Sequence, residues 1–292
     1  MTLTTETYQF MEQLTDSLKS NCDIQREKNL VQQAKNILGA TQLLTKDSNK
    51  IDKSNKFSDS YKTFVLYLPP EQSSGKINLC GFATSCVFSC LGIGSGRMSQ
   101  GKDRVDNNNF DWELSDASKA MFKRLTLFID NRPAFYAKLE QEIQTKLNTA
   151  RKKGYRLAIR LNGTSDVRWE KTRKDLFYKF QDVIFFDYTK YPYELRKDTP
   201  DNYYLIYSYT ANDKQSLEFA KEWIANGKNI AVVFFDKLPN KFLGLPVIDA
   251  DKHDMRFIDN EVNNINDSLI AGLKAKGLAI NNDHGFVQRI NK

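Results

Sequence analysis

Three of the four cysteines lie within one short segment, with the spacing Cys80-x5-Cys86-x3-Cys90. Thiolates are soft ligands, and three of them on one loop can hold most of an inorganic centre while one coordination position stays open. The spacing matches neither a zinc knuckle nor a ferredoxin run, so zinc and an iron–sulfur cluster are both candidates. The alternative is a group of buried small side chains, which free cysteine often resembles. Candidates for a fourth ligand are His253, His284 and Cys22.

A glycine-rich run, Gly92-Ile-Gly-Ser-Gly96, follows the cysteines directly. Its backbone amides could cradle a phosphate or the polar end of a cofactor, with Gly94 and Gly96 as binding residues. A Gly-x-Gly-x-Gly pattern alone is neither a P-loop nor a dinucleotide fingerprint. A flexible connection explains the run equally well.

Further polar side chains stand where apolar, strand-like runs end. In parallel α/β folds the loops at the carboxyl ends of strands converge over one crevice, where ligands bind. We expect acid–base or nucleophilic chemistry from Asp187 and from Asp249 or Asp251, with Asp166 as a further candidate. Substrate or cofactor binding is expected from Arg160, Asn162, Thr164, Ser165, Lys190, Asp254 and Arg256. The alternative for the residues after 248 is an acidic loop with an arginine as its ion-pair partner.

The elements that must position these side chains alternate between strands and helices from residue 63 onwards. Six short apolar strands, mostly separated by helices, predict a mostly parallel sheet covered by helices. Residues 187–201 hold no helical pattern, so the prediction is an α/β fold with a partial, TIM-like (β/α) barrel. The predicted strands are 63–68, 155–161, 183–186, 203–207, 230–235 and 246–248. The predicted helices are 115–129, 133–153, 170–180 and 213–225.

The first sixty residues differ in character from the rest of the chain. Apolar residues at helical spacing predict helices at 6–19 and 27–38, and residues 45–56 have the composition of an exposed linker. We therefore divide the chain into an N-terminal helical extension with a polar linker, residues 1–60, and a barrel-like α/β domain, residues 61–292.

The composition is that of a globular protein, with 292 residues, 40% hydrophobic and 27% charged. No apolar stretch has the length of a membrane span, and the N-terminus lacks the features of a signal peptide. We therefore expect a cytoplasmic location, where thiols stay reduced, and no membrane partner. The net charge of +7 favours an anionic partner, namely a nucleotide or nucleic acid.

The segment Arg160-Leu-Asn-Gly-Thr-Ser-Asp166, followed by Trp169-Glu170, resembles a family of uncharacterised phage-encoded proteins. That family pairs this motif with an upstream cysteine loop and a downstream Val-Ile-Asp-x-Asp segment, which here is Val247–Asp251. The resemblance covers roughly residues 60–288. It implies a phage origin, and hence the cytoplasm of the host cell, and it brings no assigned activity.

A second likeness is to radical SAM enzymes. In those enzymes a three-cysteine loop after the first strand of a partial barrel holds a 4Fe-4S cluster that binds S-adenosylmethionine. The loop has the same position here, whereas the usual spacing is Cys-x3-Cys-x2-Cys. The analogy implies an iron–sulfur cluster and S-adenosylmethionine as cofactors, with residues 92–96 and 162–166 beside them. Likeness of fold does not settle function.

Three hypotheses follow for the function. The first is a phage-encoded enzyme, dependent on a metal or an iron–sulfur cluster, that acts on a nucleotide or nucleic-acid component. The second is a zinc-containing, transglycosylase-like enzyme that exchanges bases in nucleic acid through an aspartate nucleophile. The third is a non-catalytic protein that binds nucleic acid or a host protein. Metal content separates the first from the other two.

Overall fold

The computed structural model describes residues 5–46, 49–90, 115–281 and 284–290. Its strands form a nine-stranded sheet. The strands are β1 (Leu44–Thr45), β2 (Tyr61–Leu66), β3 (Arg156–Arg160), β4 (Ile184–Thr189), β5 (Tyr203–Ser208), β6 (Ile230–Phe234), β7 (Lys241–Phe242), β8 (Leu245–Asp249) and β9 (Ile270–Lys274). Their order across the sheet is β1-β2-β3-β4-β5-β6-β9-β8-β7.

The central strands, from β2 through β6 to β9 and β8, all run parallel. The short outer strands β1 and β7 pair antiparallel with β2 and β8. Among the described strands the sheet does not close on itself. The prediction of an α/β fold with a mostly parallel sheet is therefore confirmed.

Strand β9 lies between β6 and β8, and the sequence pattern did not predict it. Its middle residue is Gly272, and a Cβ there would lie 2.7 Å from a methyl carbon of Val247 on β8. Glycine thus permits the close approach of two strands, and it also weakens the apolar pattern by which a strand is recognised. Because β9 lies between them, the predicted sixth strand, β8, is not the neighbour of the predicted fifth strand, β6.

Helices cover the sheet. They are α1 (Thr5–Leu38), α2 (Asn49–Phe57), α3 (Asp116–Asp130), α4 (Arg132–Lys153), α5 (Trp169–Thr172), α6 (Lys174–Lys179), α7 (Lys214–Ala225), α8 (Asp259–Asn263) and α9 (Leu278–Asn281). The sequence predicted one helix over 170–180, but the structure has two short helices, α5 and α6, that adjoin at Arg173. No helix of the described chain combines the length and the apolar character needed to cross a bilayer.

Helix α4 shows how local sequence sets these boundaries. Its N-cap is Asn131, whose side-chain oxygen accepts a hydrogen bond from the Ala134 amide at 3.2 Å. Gly154 ends the helix with a φ of 74°, a conformation that glycine adopts without steric cost. Between these caps, Leu139 and Ile143 are fully buried in the core. The helix predicted over 133–153 is therefore present.

The two faces of the sheet are covered differently. One face packs under the long helices, with Ile159, Phe185 and Val232 in the main apolar core. The segment after β8 folds back over the other face, where Phe257 packs edge-on against Phe186 at a ring separation of 5.3 Å. This return segment brings charged residues onto the sheet, which matters for the site below.

The first sixty residues are joined to the sheet. Helix α1 runs without a break where two helices were predicted, because residues 20–26 contain neither proline nor glycine. Strand β1 pairs with β2, and Glu142 of α4 accepts hydrogen bonds from the amides of Leu43 and Leu44 at 3.0 and 2.8 Å. Most of the predicted linker forms α2, in which Ile51 is buried.

Candidate functional site at the carboxyl edge of the sheet

The loops that follow β2 and β3 lie against each other at the carboxyl edge of the sheet. The Gly163 amide donates to the Leu66 carbonyl at 2.9 Å, and the Asp166 amide donates to the Leu79 carbonyl at 2.7 Å. A Cβ at position 163 would lie 2.5 Å from the ring of Tyr67, so only glycine fits there. The cysteine loop and the Asn-Gly-Thr-Ser-Asp loop therefore form one joint structure.

Cys80 lies at this junction. Its sulfur accepts a hydrogen bond from the Glu71 amide at 3.3 Å and donates one to the Thr164 carbonyl at 3.8 Å. Burial raises the pKa of the Cys80 thiol well above its ordinary value, so the sulfur carries its proton at neutral pH.

The other two cysteines are partly exposed. Cys86 lies in a 3-10 turn, Ser85–Ser89, and Cys90 follows that turn. Both are close enough to Cys80 to affect its charge state. Among the described residues, however, no three His, Cys, Asp or Glu side chains are grouped so that they could hold a metal ion. The donor atoms suit a soft metal in type and number, but their arrangement here is not that of a ligand set.

Asn162 is the centre of a buried hydrogen-bond network below these loops. Its side-chain oxygen accepts from Ser165 Oγ, the Val167 amide and Trp169 Nε1, at 3.0, 2.9 and 3.1 Å. Its side-chain nitrogen donates to Asp187 at 3.2 Å. Both the oxygen and the nitrogen of the Asn162 side chain therefore make hydrogen bonds that shape the loop after β3.

Asp187 completes this network and is fully buried. Its carboxylate accepts from the Asn162 amide at 2.7 Å and from the Tyr203 hydroxyl at 2.7 Å, and Arg160 Nε lies 3.8 Å away. Burial raises the pKa of Asp187 to about 7, although Arg160 and the hydrogen bonds act in the opposite direction. The position suits a residue that supports the site rather than one that contacts a substrate.

A pH dependence of stability follows from Asp187. Between about pH 4 and pH 7 the unfolded chain has lost this proton while the folded protein keeps it, so the free energy of unfolding falls as the pH rises. Asp187→Asn cannot titrate, and we expect urea unfolding of this variant to show a smaller fall between pH 5 and pH 7.5 than the wild type. Asp182→Asn, on the exposed surface beside Arg151, is the control. Equal slopes for wild type and Asp187→Asn would contradict the assignment.

A second buried network surrounds Arg196. Its guanidinium donates to Asp166 Oδ1 at 3.2 Å and to Thr189 Oγ1 at 3.0 Å, and its Nε lies 2.9 Å from Glu170 Oε1. Asp166 also accepts from the Lys190 amide at 2.7 Å. One cation thus balances two buried carboxylates and ties the loops after β3 and β4 together.

Lys190 extends from the end of β4 into the same edge. Its ammonium donates to the Ser208 carbonyl at 2.6 Å and to Thr210 Oγ1 at 2.7 Å, and it lies 4.8 Å from the ring centroid of Phe286. In the part of the chain that the structure describes, this ammonium makes no ion pair. Burial lowers the pKa of Lys190 to about 8. An anionic group at this position would find a cation without a carboxylate partner.

Arg160 connects the sheet to the return segment. Its guanidinium donates to Asp254 at 2.8 Å and stacks over Tyr188 at 4.7 Å from the ring centroid. The Tyr188 hydroxyl donates to the same carboxylate at 2.9 Å. Arg160 and Asp254, both predicted to bind substrate, are therefore partners of each other.

The remaining predicted residues lie in other places. Asp251 accepts a hydrogen bond from the Lys274 amide at 3.1 Å and forms an ion pair with Lys276. Asp249 Oδ1 accepts a hydrogen bond from the Asp251 amide at 3.0 Å. Arg256 is buried beside Asp259 at 3.2 Å. Thr164 binds the Leu68 carbonyl and Ser165 binds Asn162, whereas Gly94 and Gly96 lie outside the described residues.

The proposed fourth ligands are also dispersed. His253 is buried against Phe57, and burial together with Arg256 lowers its pKa to about 4. His284 packs against Phe88 at the carboxyl edge with the two rings tilted, and Cys22 is exposed on α1.

Arg196, Glu170 and Tyr203 are the contributors that the sequence did not reveal. Arg196 lies in the stretch 187–201, which shows no helical or strand pattern, and Glu170 was explained as the start of a helix. No local signal marked these residues, because none of the three follows directly on the carboxyl end of a predicted strand.

Comparison with known proteins places this architecture in a family. A family model described as gene product 88 matches residues 33–290, which include the cysteine loop, both buried networks and the return segment. No curated protein and no solved structure matches the chain. The family is of the phage type, which supports the phage origin predicted from the sequence motif. On this match the chain belongs to the gene product 88 family.

Proposed function

We propose that this protein is a phage-encoded enzyme that acts on a nucleotide or nucleic-acid component. Its active site would lie at the carboxyl edge of a partial, TIM-like barrel and would hold a metal or an iron–sulfur cluster through Cys80, Cys86 and Cys90. The order of the parallel strands supports this proposal, because β2 to β6 follow one another in chain order, as in a barrel. The cysteine loop follows the first of these strands.

The single observation that carries the proposal is the contact between the two loops. The thiol of Cys80 reaches the Thr164 carbonyl, so the cysteines adjoin the loop Asn162–Asp166. In the radical SAM analogy, the cluster sits on the first of these loops and the cofactor meets the second. The two loops here have the corresponding chain positions.

The cysteines suit such a centre by their chemistry, but their arrangement here is not yet a ligand set. Binding would require Cys80 to lose its proton and its two hydrogen bonds, and the segment 80–90 to draw its sulfurs together. We therefore assign no reaction step to the metal or cluster. The protein's own contribution is the rigid floor of the site, which the networks around Asn162 and Arg196 provide.

The nature of the substrate rests on charge. Lys190 offers an ammonium that two neutral oxygens hold in place, and a partly buried cation of this kind favours an anionic ligand such as a phosphate. The net charge of +7 also favours an anionic ligand, because it attracts anions over longer distances.

The metal content of anaerobically purified protein tests the proposal. We expect iron and sulfide at about four atoms each per chain, the stoichiometry of one cubane cluster. Cys80→Ser, Cys86→Ser and Cys90→Ser should each lose most of this iron. Cys22→Ser, which changes an exposed cysteine on α1, should retain it.

Other metal contents would redirect or end the proposal. One zinc per chain that depends on the same three cysteines would favour the base-exchange enzyme. Absence of any metal after reconstitution with iron, sulfide or zinc would overturn the metal-dependent enzyme.

A further inference from the structure

The chain segment after α9 contributes an exposed aromatic surface to the carboxyl edge. It inserts between the diverging ends of β5 and β6, where the Ala211 amide donates to the Phe286 carbonyl at 3.1 Å and the Gln288 amide donates to the Val233 carbonyl at 2.8 Å. The Phe235 amide donates back to the Gln288 carbonyl at 3.0 Å. Residues 284–290 are therefore held rigidly along this edge.

Two aromatic side chains contact that segment. Phe88, from the turn between Cys86 and Cys90, lies 4.2 Å from the ring of His284. Arg289 places its guanidinium 3.9 Å from the ring centroid of Phe235. Phe88 is 54% exposed and Phe235 is 37% exposed. Both rings therefore present apolar surface at the carboxyl edge that a stacking ligand could cover.

The two contacts lie on the same short chain segment. His284 and Arg289 are five residues apart on the same chain segment, so their Cα atoms are separated by at most about 18 Å. Lys190 lies beneath the segment, beside Phe286. Alternating rings and cations of this kind suit unpaired nucleobases, which stack on aromatic rings and on guanidinium planes while cations meet the phosphates.

We propose that this surface, formed by Phe88, Phe235, His284 and Arg289, binds single-stranded nucleic acid by base stacking. The inference rests on the proposed function, and it narrows the substrate to an unpaired strand whose bases lie across the mouth of the site. A duplex would not fit, because its bases are stacked on one another and present no free faces.

Fluorescence anisotropy with the full chain tests this proposal. The probes are fluorescein-labelled oligothymidine and oligouridine of about 20 nucleotides, long enough to cover a typical binding site. We expect both single strands to bind more tightly than a duplex of equal length. Phe88→Ala and Phe235→Ala should each weaken binding by about 5- to 100-fold. Arg289→Gln should lower the slope of log affinity against log salt by about one.

Phe57→Ala is the matched control. Phe57 is 40% exposed and also packs against a histidine, with its ring centroid 4.1 Å from that of His253, but it lies on α2. Its loss should leave the affinity unchanged. Equal binding of duplex and single strand, unchanged binding by both Phe88→Ala and Phe235→Ala, or a change in oligomeric state with no oligonucleotide binding, would overturn the proposal. Wild-type protein that binds the oligonucleotide but holds no metal after reconstitution would count against the proposed function alone.

Discussion

Replacing Arg196 with methionine is expected to lower the free energy of unfolding by about 3–5 kcal/mol at pH 7.5. The arginine is fully buried, and its removal would leave the carboxylates of Asp166 and Glu170 buried without a cation. Burial raises the pKa of both carboxyls, and Arg196 acts against that rise. Urea or thermal unfolding measures the loss directly.

The pH dependence of this variant distinguishes lost charge balance from lost packing. Without the arginine, the two carboxyls should take up protons more readily in the folded state. The difference in unfolding free energy between the wild type and the variant should therefore be smaller at pH 5 than at pH 8. Adding Glu170→Gln should recover part of the stability. Arg196→Lys should remain less stable than the wild type, because a single ammonium cannot reach the three partners that the planar guanidinium contacts.

The control for Arg196 is Arg151→Met. Arg151 pairs with Asp182 on the exposed surface, and loss of such a pair changes stability by less than about 1 kcal/mol. An Arg196→Met protein as stable as this control would show that the buried network is not organised as described.

Asn162→Ala is expected to lower the free energy of unfolding by about 3–5 kcal/mol. The substitution leaves several buried polar groups without hydrogen-bond partners, and each such group costs roughly 1–3 kcal/mol. The Trp169 indole and the Val167 amide would lose their acceptor, and Asp187 would lose a donor. The loop after β3 would then be free to leave the cysteine loop. We therefore expect reduced metal retention as well as reduced stability.

Asn148→Ala provides the matched control for Asn162. Asn148 lies on α4, and its side chain accepts a hydrogen bond from exposed Gln144. Its replacement should change the unfolding free energy by about 0.5 kcal/mol or less and leave metal content unchanged. If Asn162→Ala unfolds with the wild-type midpoint and keeps its metal, the loop is not supported in the way that we describe.

The sequence predicted the parallel sheet and most of its strands and helices, because apolar runs and helical spacing are local signals. For the same reason the helix predicted over 133–153 is present as α4, Arg132–Lys153. Strand β9 was missed because Gly272 interrupts its apolar run. The continuity of α1 was missed because a polar stretch on an exposed helix leaves no apolar pattern.

The site was harder to predict, because its geometry depends on contacts between distant parts of the chain. Strand ends indicated Asn162, Asp166, Asp187 and Lys190, and the structure brings these residues to one edge of the sheet. No local signal indicated that Arg196 would pair with Asp166. The cysteines are adjacent in sequence, but spacing alone does not determine where their sulfur atoms point.

We propose that the sulfurs of Cys80, Cys86 and Cys90 bind an inorganic centre at the carboxyl edge of the sheet. X-ray absorption at the edge of the metal that copurifies with the anaerobic protein tests it most directly. We predict a first coordination shell dominated by sulfur, which disappears in the triple Cys→Ser variant. A shell of oxygen and nitrogen alone, or the same spectrum from the triple variant, would contradict the claim.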